Sequence, residues 1–234
     1  PEGEQVNIYG NHVGSWNFAA TAYLNRWKVK IYYEHYFDDH SQMFFQYGRW
    51  KDGHIGLEIT FPKNRFIDTF VYEGLGTKDQ TGPMLYDSFW GEFEEQISAK
   101  DNYYNHYLYQ GWQHWGMGIG NPLLPGPIYN KNGQITFISN RVLAHHIGFC
   151  GSPCQSLSYR MLLSYSRHWG TYDNPLNEIK KQFNSLFEVT YAPQQLKGWS
   201  FTVSGAMDRG SILGNNYGGM LVIRKQGIIK SGNK

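Results

Sequence analysis

The chain has 234 residues, of which 17% are aromatic and only 17% are charged, and its formal net charge is +2. This charge is too small to indicate a nucleic-acid-binding protein, and no run of Lys or Arg accompanies it. The mean hydropathy is −0.54, and the sequence has no run of about 18 apolar residues, so a transmembrane helix is excluded.

Short segments of alternating apolar and polar residues follow one another along the chain. In the first, Trp16, Phe18 and Leu24 share one face, while Asn17 and Thr21 lie on the other. Side chains alternate between the two faces of a strand, so each segment predicts a strand with one apolar and one polar face. The predicted strands are nine, at 13–24, 27–36, 54–61, 66–74, 134–148, 156–167, 184–192, 198–207 and 217–225, with a further candidate at 5–9.

The connections between these strands alternate between short turns and long loops. The long loops are predicted near 37–53, 77–133, 169–183 and 208–217. Short turns at one end of a sheet and long loops at the other are typical of outer-membrane barrels. The pattern therefore favours an antiparallel transmembrane β-barrel over a soluble β-sandwich, forming a single region over 1–234 with a periplasmic C-terminus.

The number of strands bears on whether the barrel is complete. Bacterial barrels close with an even number of strands, and closure leaves no strand edge exposed to lipid. The sequence predicts nine or ten strands and begins at Pro1. We interpret it as the C-terminal half of a larger barrel.

The polar strand faces carry charges of both signs, which are expected to point into the lumen. Such charges either pair and fill the interior or line a pore. Around Asn140 to His146 the alternation slips, and a β-bulge there would return Arg141 and His145 to the lumen. The lumenal charges predicted from the strands are Lys28, Lys30, Glu34, Glu58, Arg160 and Glu188.

Two cysteines, Cys150 and Cys154, bracket Gly-Ser-Pro in a predicted periplasmic turn. A disulfide between them suits an oxidising compartment, but spacing alone does not fix their geometry. The alternative is that two free thiols simply lie near each other. No paired His or Cys motif completes a metal site, and no cofactor is expected.

The long loops mix Trp and Tyr with Asn, Asp, Arg and His. Flat rings cover the apolar faces of sugars and polar groups bind the hydroxyls, so this composition points to a glycan site. The alternative is that the loop aromatics fold inward and plug the barrel. Nothing fixes the separation of the loop carboxylates, so we expect no enzymatic activity. The candidate polysaccharide-binding residues are Tyr36, Trp112, His114, Trp115, Arg167 and Trp169.

Three segments, Tyr33 to Ser41, Gly111 to Leu124 and Ser164 to Tyr172, resemble the Wzi-like capsule assembly proteins of Gram-negative outer membranes. The resemblance covers nearly the whole chain, as the C-terminal half of a family member. It implies a barrel of roughly eighteen strands that holds capsular or other surface polysaccharide at the cell surface without chemistry. Outer-membrane lipid and partner proteins are further expected contacts. A diffusion pore, a partner-complex barrel and an outer-membrane hydrolase are the alternatives.

Overall fold

The computed structural model describes residues 14–37, 52–64, 66–83, 98–100, 102–105 and 112–227. These residues form an all-β structure built on one antiparallel sheet of nine strands. The candidate strand at 5–9 lies outside the described residues. The described residues contain thirteen strands, which are numbered in chain order, and four short ones, β5 to β8, lie outside the large sheet. The nine strands of the large sheet are β1 (Gly14–Leu24), β2 (Trp27–Phe37), β3 (Gly53–Thr60), β4 (Thr69–Gly76), β9 (Val142–Cys154), β10 (Leu157–Gly170), β11 (Pro175–Tyr191), β12 (Trp199–Gly210) and β13 (Asn216–Lys225).

The connection between β4 and β9 contains four shorter strands. These form two small two-stranded sheets, β5 (Thr81–Pro83) with β6 (Ser98–Lys100), and β7 (Gln113–His114) with β8 (Met117–Gly118). A 3-10 turn follows at Pro127–Tyr129. The described residues contain no helix that is long and apolar enough to cross a membrane.

The nine strands lie in the sheet in the order in which they occur in the chain, so each strand pairs with the next one. The long connection with its four short strands is inserted between β4 and β9, which pair with each other. β1 and β13 are the edge strands. Within the described residues β1 pairs only with β2, and β13 pairs only with β12. The sheet is therefore open, and the all-β antiparallel prediction is confirmed without closure into a barrel.

Two predicted boundaries in the second half are wrong. The strand expected at 134–148 begins only at Val142 and continues to Cys154. β11 begins at Pro175, so most of the loop expected at 169–183 is strand, and the real connection is 171–174. The first half of β11 carries polar residues on both faces, which is typical of a loop. Backbone pairing nevertheless extends the strand, because it needs no apolar side chain.

The register divides the side chains of all nine strands between two faces. One face, which we call the apolar face, runs unbroken from β1 to β13. Its side chains are largely solvent-exposed, for example Ile31 (54%), Val203 (60%) and Leu221 (65%). The larger members of the apolar face are Trp16, Phe18, Val29, Ile31, Tyr33, Ile55, Leu57, Ile59, Phe70, Tyr72, Ile147, Phe149, Tyr159, Met161, Leu163, Tyr165, Phe187, Val189, Val203, Leu221 and Ile223.

The opposite face, the polar face, carries paired charges. Lys28 Nζ lies 3.6 Å from Glu58 Oε1, and Arg160 Nη2 lies 3.3 Å from Glu188 Oε1. The register also places Lys30 beside Glu58. The strand charges predicted to share one face therefore do so.

A second polar-face cluster centres on one imidazole. His54 Nδ1 lies 3.7 Å from Glu34 Oε2, and His54 Nε2 lies 3.6 Å from Glu73 Oε1. The Tyr32 hydroxyl donates to Glu73, and Ser15 Oγ donates to Glu34 at 2.7 Å. Opposite charges and their hydrogen-bond partners thus lie side by side across four neighbouring strands.

The bulge predicted near residues 140–146 does not occur in β9, which pairs regularly with β10 from Val142 to Cys150. The irregularity is in β10 instead, where Arg141 bonds to both Trp169 and Gly170. His145 lies opposite Tyr165 on the apolar face, where its Nδ1 is 2.8 Å from the Tyr72 hydroxyl. Arg141 follows the same alternation and lies on this side too. The predicted lumenal position of Arg141 and His145 is therefore wrong, and neighbouring polar groups explain how the face accommodates them.

Cys150 and Cys154 both lie in β9, and both are free thiols. The turn expected between them is wrong, because the strand continues and the connection to β10 is 155–156. Residues four positions apart on an extended strand are separated by roughly 13 Å, far beyond the Cα separation that a disulfide spans. A bridge would require this end of β9 to rearrange.

A close contact between a glycine and an aromatic ring stabilises the register of β2 with β3. A Cβ added at Gly56 would lie 2.0 Å from Cζ of Tyr32, its cross-strand partner. We expect Gly56→Ala to displace the Tyr32 ring from Glu73 and to lower the free energy of unfolding by about 1–3 kcal/mol. A urea titration measures this. Gly205→Ala, where a Cβ meets nothing within 4 Å, is the matched control, and an equal loss in both variants would contradict the prediction.

Candidate functional site

The long connection between β4 and β9 folds back over the polar face at the loop end of the sheet. We call residues 77, 79–80, 102–105 and 112–140 of this connection the cap. The buried core lies beneath the cap and consists of Leu75, Leu124, Val142 and Ala144, with Tyr36, Tyr104 and Leu123 packed against it. The alternation of side chains along β4 and β9 places Leu75, Val142 and Ala144 on the polar face. The cap packs on these residues, so it lies over the polar face and not over the apolar face.

One buried carboxylate ties the start of β3 to the cap. Asp52 is only 4% exposed. Its Oδ1 accepts the Asp79 N–H at 3.0 Å, and its Oδ2 accepts the Gln80 N–H at 2.5 Å and the Tyr103 hydroxyl at 3.1 Å. Burial raises the pKa of the Asp52 carboxyl to about 6, although these three hydrogen bonds lower it. Asp52 therefore holds three separate donors of the cap at one point.

A second buried polar cluster surrounds Asn140. Its backbone carbonyl accepts the Thr77 hydroxyl at 2.7 Å and the Gln80 amide at 2.8 Å. Its side-chain Nδ2 donates to Asn102 Oδ1 at 2.5 Å and to the Tyr103 carbonyl at 2.8 Å. Polar groups buried in this way need partners, and here they link both ends of the long connection.

Aromatic packing and one amide complete the interior of the cap. Asn105 exchanges two hydrogen bonds of 2.8 Å with the backbone of Phe137. The Phe137 ring stacks on Tyr104 with centroids 5.2 Å apart, and Trp112 meets Tyr104 edge-on at 6.2 Å. Among the described residues the indole Nε1 of Trp112 is buried without a hydrogen-bond partner. Trp112 is thus a packing residue of the cap interior.

Tyr36 likewise belongs to the packing beneath the cap. With Leu75, Tyr104 and Leu124 it lines a cavity of about 20 Å³. A cavity of this size holds about one water molecule. The space beside Tyr36 therefore cannot hold a sugar ring.

The hairpin of β7 and β8 carries the most exposed aromatic residue of the cap. Trp115 and Gly116 form its two-residue turn with φ angles of +53° and +80°, as a type I′ turn requires. Trp115 is 84% exposed, and the ring of His114 lies edge-on to it at 6.1 Å. A tryptophan in the left-handed region is unusual and costs free energy.

The turn below Trp115 is fixed to the rest of the cap. The Gly116 N–H donates to Gln113 Oε1 at 2.7 Å, and the Gly116 carbonyl accepts the Ile128 N–H at 2.7 Å. A Cβ at Gly116 would lie 3.0 Å from the Ile128 nitrogen, so glycine is needed both for its φ and for this approach. The Trp115 ring is consequently presented to solvent on a well-supported backbone.

Arg167 and Trp169 lie on the other side of the sheet. Arg167 pairs with Leu143, which places it on the apolar face beyond Tyr165. Trp169 lies at the register shift that follows His168, and its contact with Arg167 places its ring on the same side. The Arg167 guanidinium lies 5.2 Å from the centre of the Trp169 ring, and Lys78 Nζ lies 5.0 Å from it. These distances are typical of cation–π contacts.

The six predicted binding residues therefore do not form one site. Tyr36 and Trp112 pack inside, His114 and Trp115 lie on the exposed hairpin, and Arg167 and Trp169 lie on the opposite face. Sequence reasoning missed the residues that organise the cap, Asp52 and Asn140. Both are short polar residues in segments expected to be loop or strand, and no local signal distinguishes a buried one from an exposed one.

The described part of the chain contains no group of three or more His, Cys, Asp or Glu residues that could hold a metal ion. The exposed hairpin offers two kinds of non-covalent contact. An indole face covers apolar surface, and the adjacent imidazole donates or accepts a hydrogen bond.

The buried carboxyl of Asp52 predicts a pH-dependent stability. The native carboxyl keeps its proton up to a pKa of about 6, whereas the ordinary value is 3.8. Between these values the native state binds more protons than the unfolded chain, so stability falls as the pH rises from about 4 to 6. The difference corresponds to about 3 kcal/mol.

Urea unfolding at a series of pH values between 4 and 7 measures this effect. We expect Asp52→Asn to remove this part of the pH dependence, and Asp173→Asn, at an exposed position of the same end of the sheet, to retain it. An unchanged pH profile in Asp52→Asn would contradict the assignment.

Comparison of the chain with protein-family models, with curated proteins and with solved structures gives no match. The resemblance to Wzi-like proteins therefore stays a prediction from the three sequence segments. The geometry of the sheet and its cap carries the functional argument.

Proposed function

We propose that this chain is part of an outer-membrane β-barrel that binds capsular or other surface polysaccharide through its cap and does not catalyse a reaction. The observation that carries the proposal is Trp115, an 84% exposed indole at the tip of a supported hairpin on the loop end. Flat rings of this kind cover the apolar faces of sugars. His114 beside it supplies a hydrogen-bonding group for hydroxyls.

The apolar face supports the membrane location. A continuous surface of large apolar side chains across nine strands is far more than a soluble monomer exposes. Within the nine strands this face carries no Asp or Glu, and all the strand carboxylates lie on the polar face. Lipid outside and a polar lumen inside would satisfy both faces.

The open edges support the interpretation as part of a larger barrel. An unpaired strand edge cannot face hydrocarbon, because its N–H and C=O groups would lack partners. Further strands outside the described residues would complete the pairing of β1 and β13. In this arrangement the cap lies outside the cell, and the C-terminal end of β13 lies on the periplasmic side with the short turns.

A partner-complex barrel is the second candidate. Several apolar side chains of the cap are exposed, namely Met117, Ile119, Ile128 and Ile135, and such residues are common in protein interfaces. The pore candidate has weaker support, because several of the polar-face charges pair with one another, namely Lys28 with Glu58, Arg160 with Glu188, and His54 with Glu34 and Glu73.

The two faces of β12 allow a direct test of the membrane location. We expect Val203→Lys, on the apolar face, to impair insertion of the full-length protein into phosphatidylcholine vesicles, because a cation facing lipid near the bilayer midplane costs about 2–4 kcal/mol. Ala206→Lys, on the polar face of the same strand, should insert normally. Heat-modifiable electrophoretic mobility measures insertion. Normal insertion of both variants would show that the apolar face does not meet lipid.

The hairpin allows a test of glycan binding. We expect Trp115→Ala to weaken binding of the producer's own capsular polysaccharide by about two- to tenfold, because aromatic contacts of this kind contribute about 0.5–1.5 kcal/mol. Tyr23→Ala removes a 75% exposed ring at the short-turn end and should leave binding unchanged. Isothermal calorimetry on folded protein measures both.

Product release, followed in the same samples, should be absent. If wild-type protein is folded and inserted but binds no polysaccharide, the partner-complex candidate takes precedence.

A further inference from the structure

The charges on the apolar face are all positive and nearly all lie at one end. Within the strands the charged residues of this face are Arg167, Lys181 and Arg209 at the loop end, and Lys225 at the short-turn end. Lys78 and Arg141 extend the loop-end group just beyond β4 and β9. We call Lys78, Arg141, Arg167, Lys181 and Arg209 the basic rim.

The sheet brings the cations of the basic rim next to one another. Arg167 and Lys181 are directly opposite in the pairing of β10 with β11, where Cβ atoms are about 5 Å apart. Arg209 lies opposite Phe183, one diagonal step from Lys181. Arg141 Nε donates to the Lys78 carbonyl at 3.2 Å. Five cations thus follow the edge of the apolar face across five strands.

Aromatic rings, and not carboxylates, contact three of these five cations. Lys78 and Arg167 lie over the Trp169 ring, and the Arg141 guanidinium lies 3.8 Å from the centre of the Tyr172 ring. Within the described residues no carboxylate lies within 4.0 Å of a basic-rim nitrogen. The nearby Asp173 instead accepts a hydrogen bond from Asn102 at 3.3 Å. Like charges placed directly opposite destabilise a sheet, so an anion would relieve this repulsion.

The position of the basic rim indicates which anion fits. Below the cations, on the same side of the sheet, lie Tyr165, Phe183 and Leu163, and the apolar face continues from there. The cap and its exposed hairpin lie over the other face. A ligand that contacts both the cations and this surface therefore needs an anionic head and an apolar body.

We propose that the basic rim binds the phosphate groups of a lipid headgroup in the leaflet at the loop end. The acyl chains lie against the apolar face, and the guanidinium and ammonium groups bind the phosphate oxygens, for which arginine offers a bidentate fork. The inference rests on the proposed function, since it requires the apolar face to meet lipid. It assigns Arg167 and Trp169 to lipid binding and leaves the glycan to the hairpin.

Two neighbouring lysines provide a matched pair of variants. Lys181 belongs to the basic rim, whereas Lys180 pairs with His168 on the polar face. Lys181→Gln and Lys180→Gln remove the same charge one residue apart on opposite faces. The stronger variant combines Lys181→Gln with Arg167→Gln.

The experiment measures retention of lipid A, which carries two phosphates, by the full-length protein in detergent, using native mass spectrometry. The same samples are tested for insertion into vesicles. We expect wild type and Lys180→Gln to retain lipid A, and the double variant to bind it at least tenfold more weakly, at about fivefold per cation. Dephosphorylated lipid A should bind the wild type as weakly as lipid A binds the double variant.

The outcomes separate this inference from the proposed function. Insertion with equal lipid A retention by the wild type and the double variant would overturn the basic rim and leave the barrel proposal intact. Failed insertion with phosphate-dependent retention in detergent would overturn the barrel and keep the site. Pyrophosphate and an acidic polysaccharide are tested as competitors of lipid A. If either competes as strongly as unlabelled lipid A does, the basic rim is a general anion site and the lipid assignment is wrong.

Discussion

The register of nine antiparallel strands determines everything else in this structure. Side chains alternate along each strand and the partners stay in step except at the two ends of β10, so the register assigns the residues between these ends to one of two faces. A slip of one residue in a strand that carries carboxylates would move them onto the apolar face. The contact of Tyr32 with Gly56, and the ion pairs that join neighbouring strands, favour the observed alignment over such a slip.

The cap depends on that register in turn. It rests on one face only, and both an apolar core and buried polar groups hold it. Asp52 and Asn140 each gather several hydrogen bonds from segments far apart in the sequence. Within the described residues Asn140 Oδ1 and Gln80 Oε1 have no partner, and a partly satisfied network of this kind costs free energy. The result is a supported surface that holds Trp115 in a backbone conformation it would not adopt alone. Recognition by the cap and contact with lipid are therefore separated onto opposite sides of one sheet.

The sequence predicts most of the strands but not the arrangement of the cap, for physical reasons. Alternation over eight or more residues is a strong signal, so the shared faces of Lys28, Glu58, Arg160 and Glu188 could be predicted. The first half of β11 is polar on both sides and gives no such signal. The charge of Arg141, in phase with the apolar Ile135 and Phe137, suggests a bulge that returns it to the lumen. Its guanidinium instead lies over the Tyr172 ring, and the irregularity is in the partner strand β10. The roles of Asp52 and Asn140 depend on burial, which arises only when distant segments meet.

The place of the long connection has a consequence for folding. Every neighbouring pair of strands in the large sheet is joined directly along the chain except β4 with β9, so two arrays, β1–β4 and β9–β13, can form before they join. The pairing of β2 with β3 closes a loop over 38–52, and the pairing of β4 with β9 closes a far longer one over 77–141. Loop-closure entropy rises slowly, by about 0.6 kcal/mol for each doubling of loop length. Thr77 and Asn140, 63 residues apart and joined at 2.7 Å, close that loop at its base. Evolution can therefore lengthen or replace the intervening segment at small thermodynamic cost, and surface recognition can diversify while the seam between the two arrays stays the same.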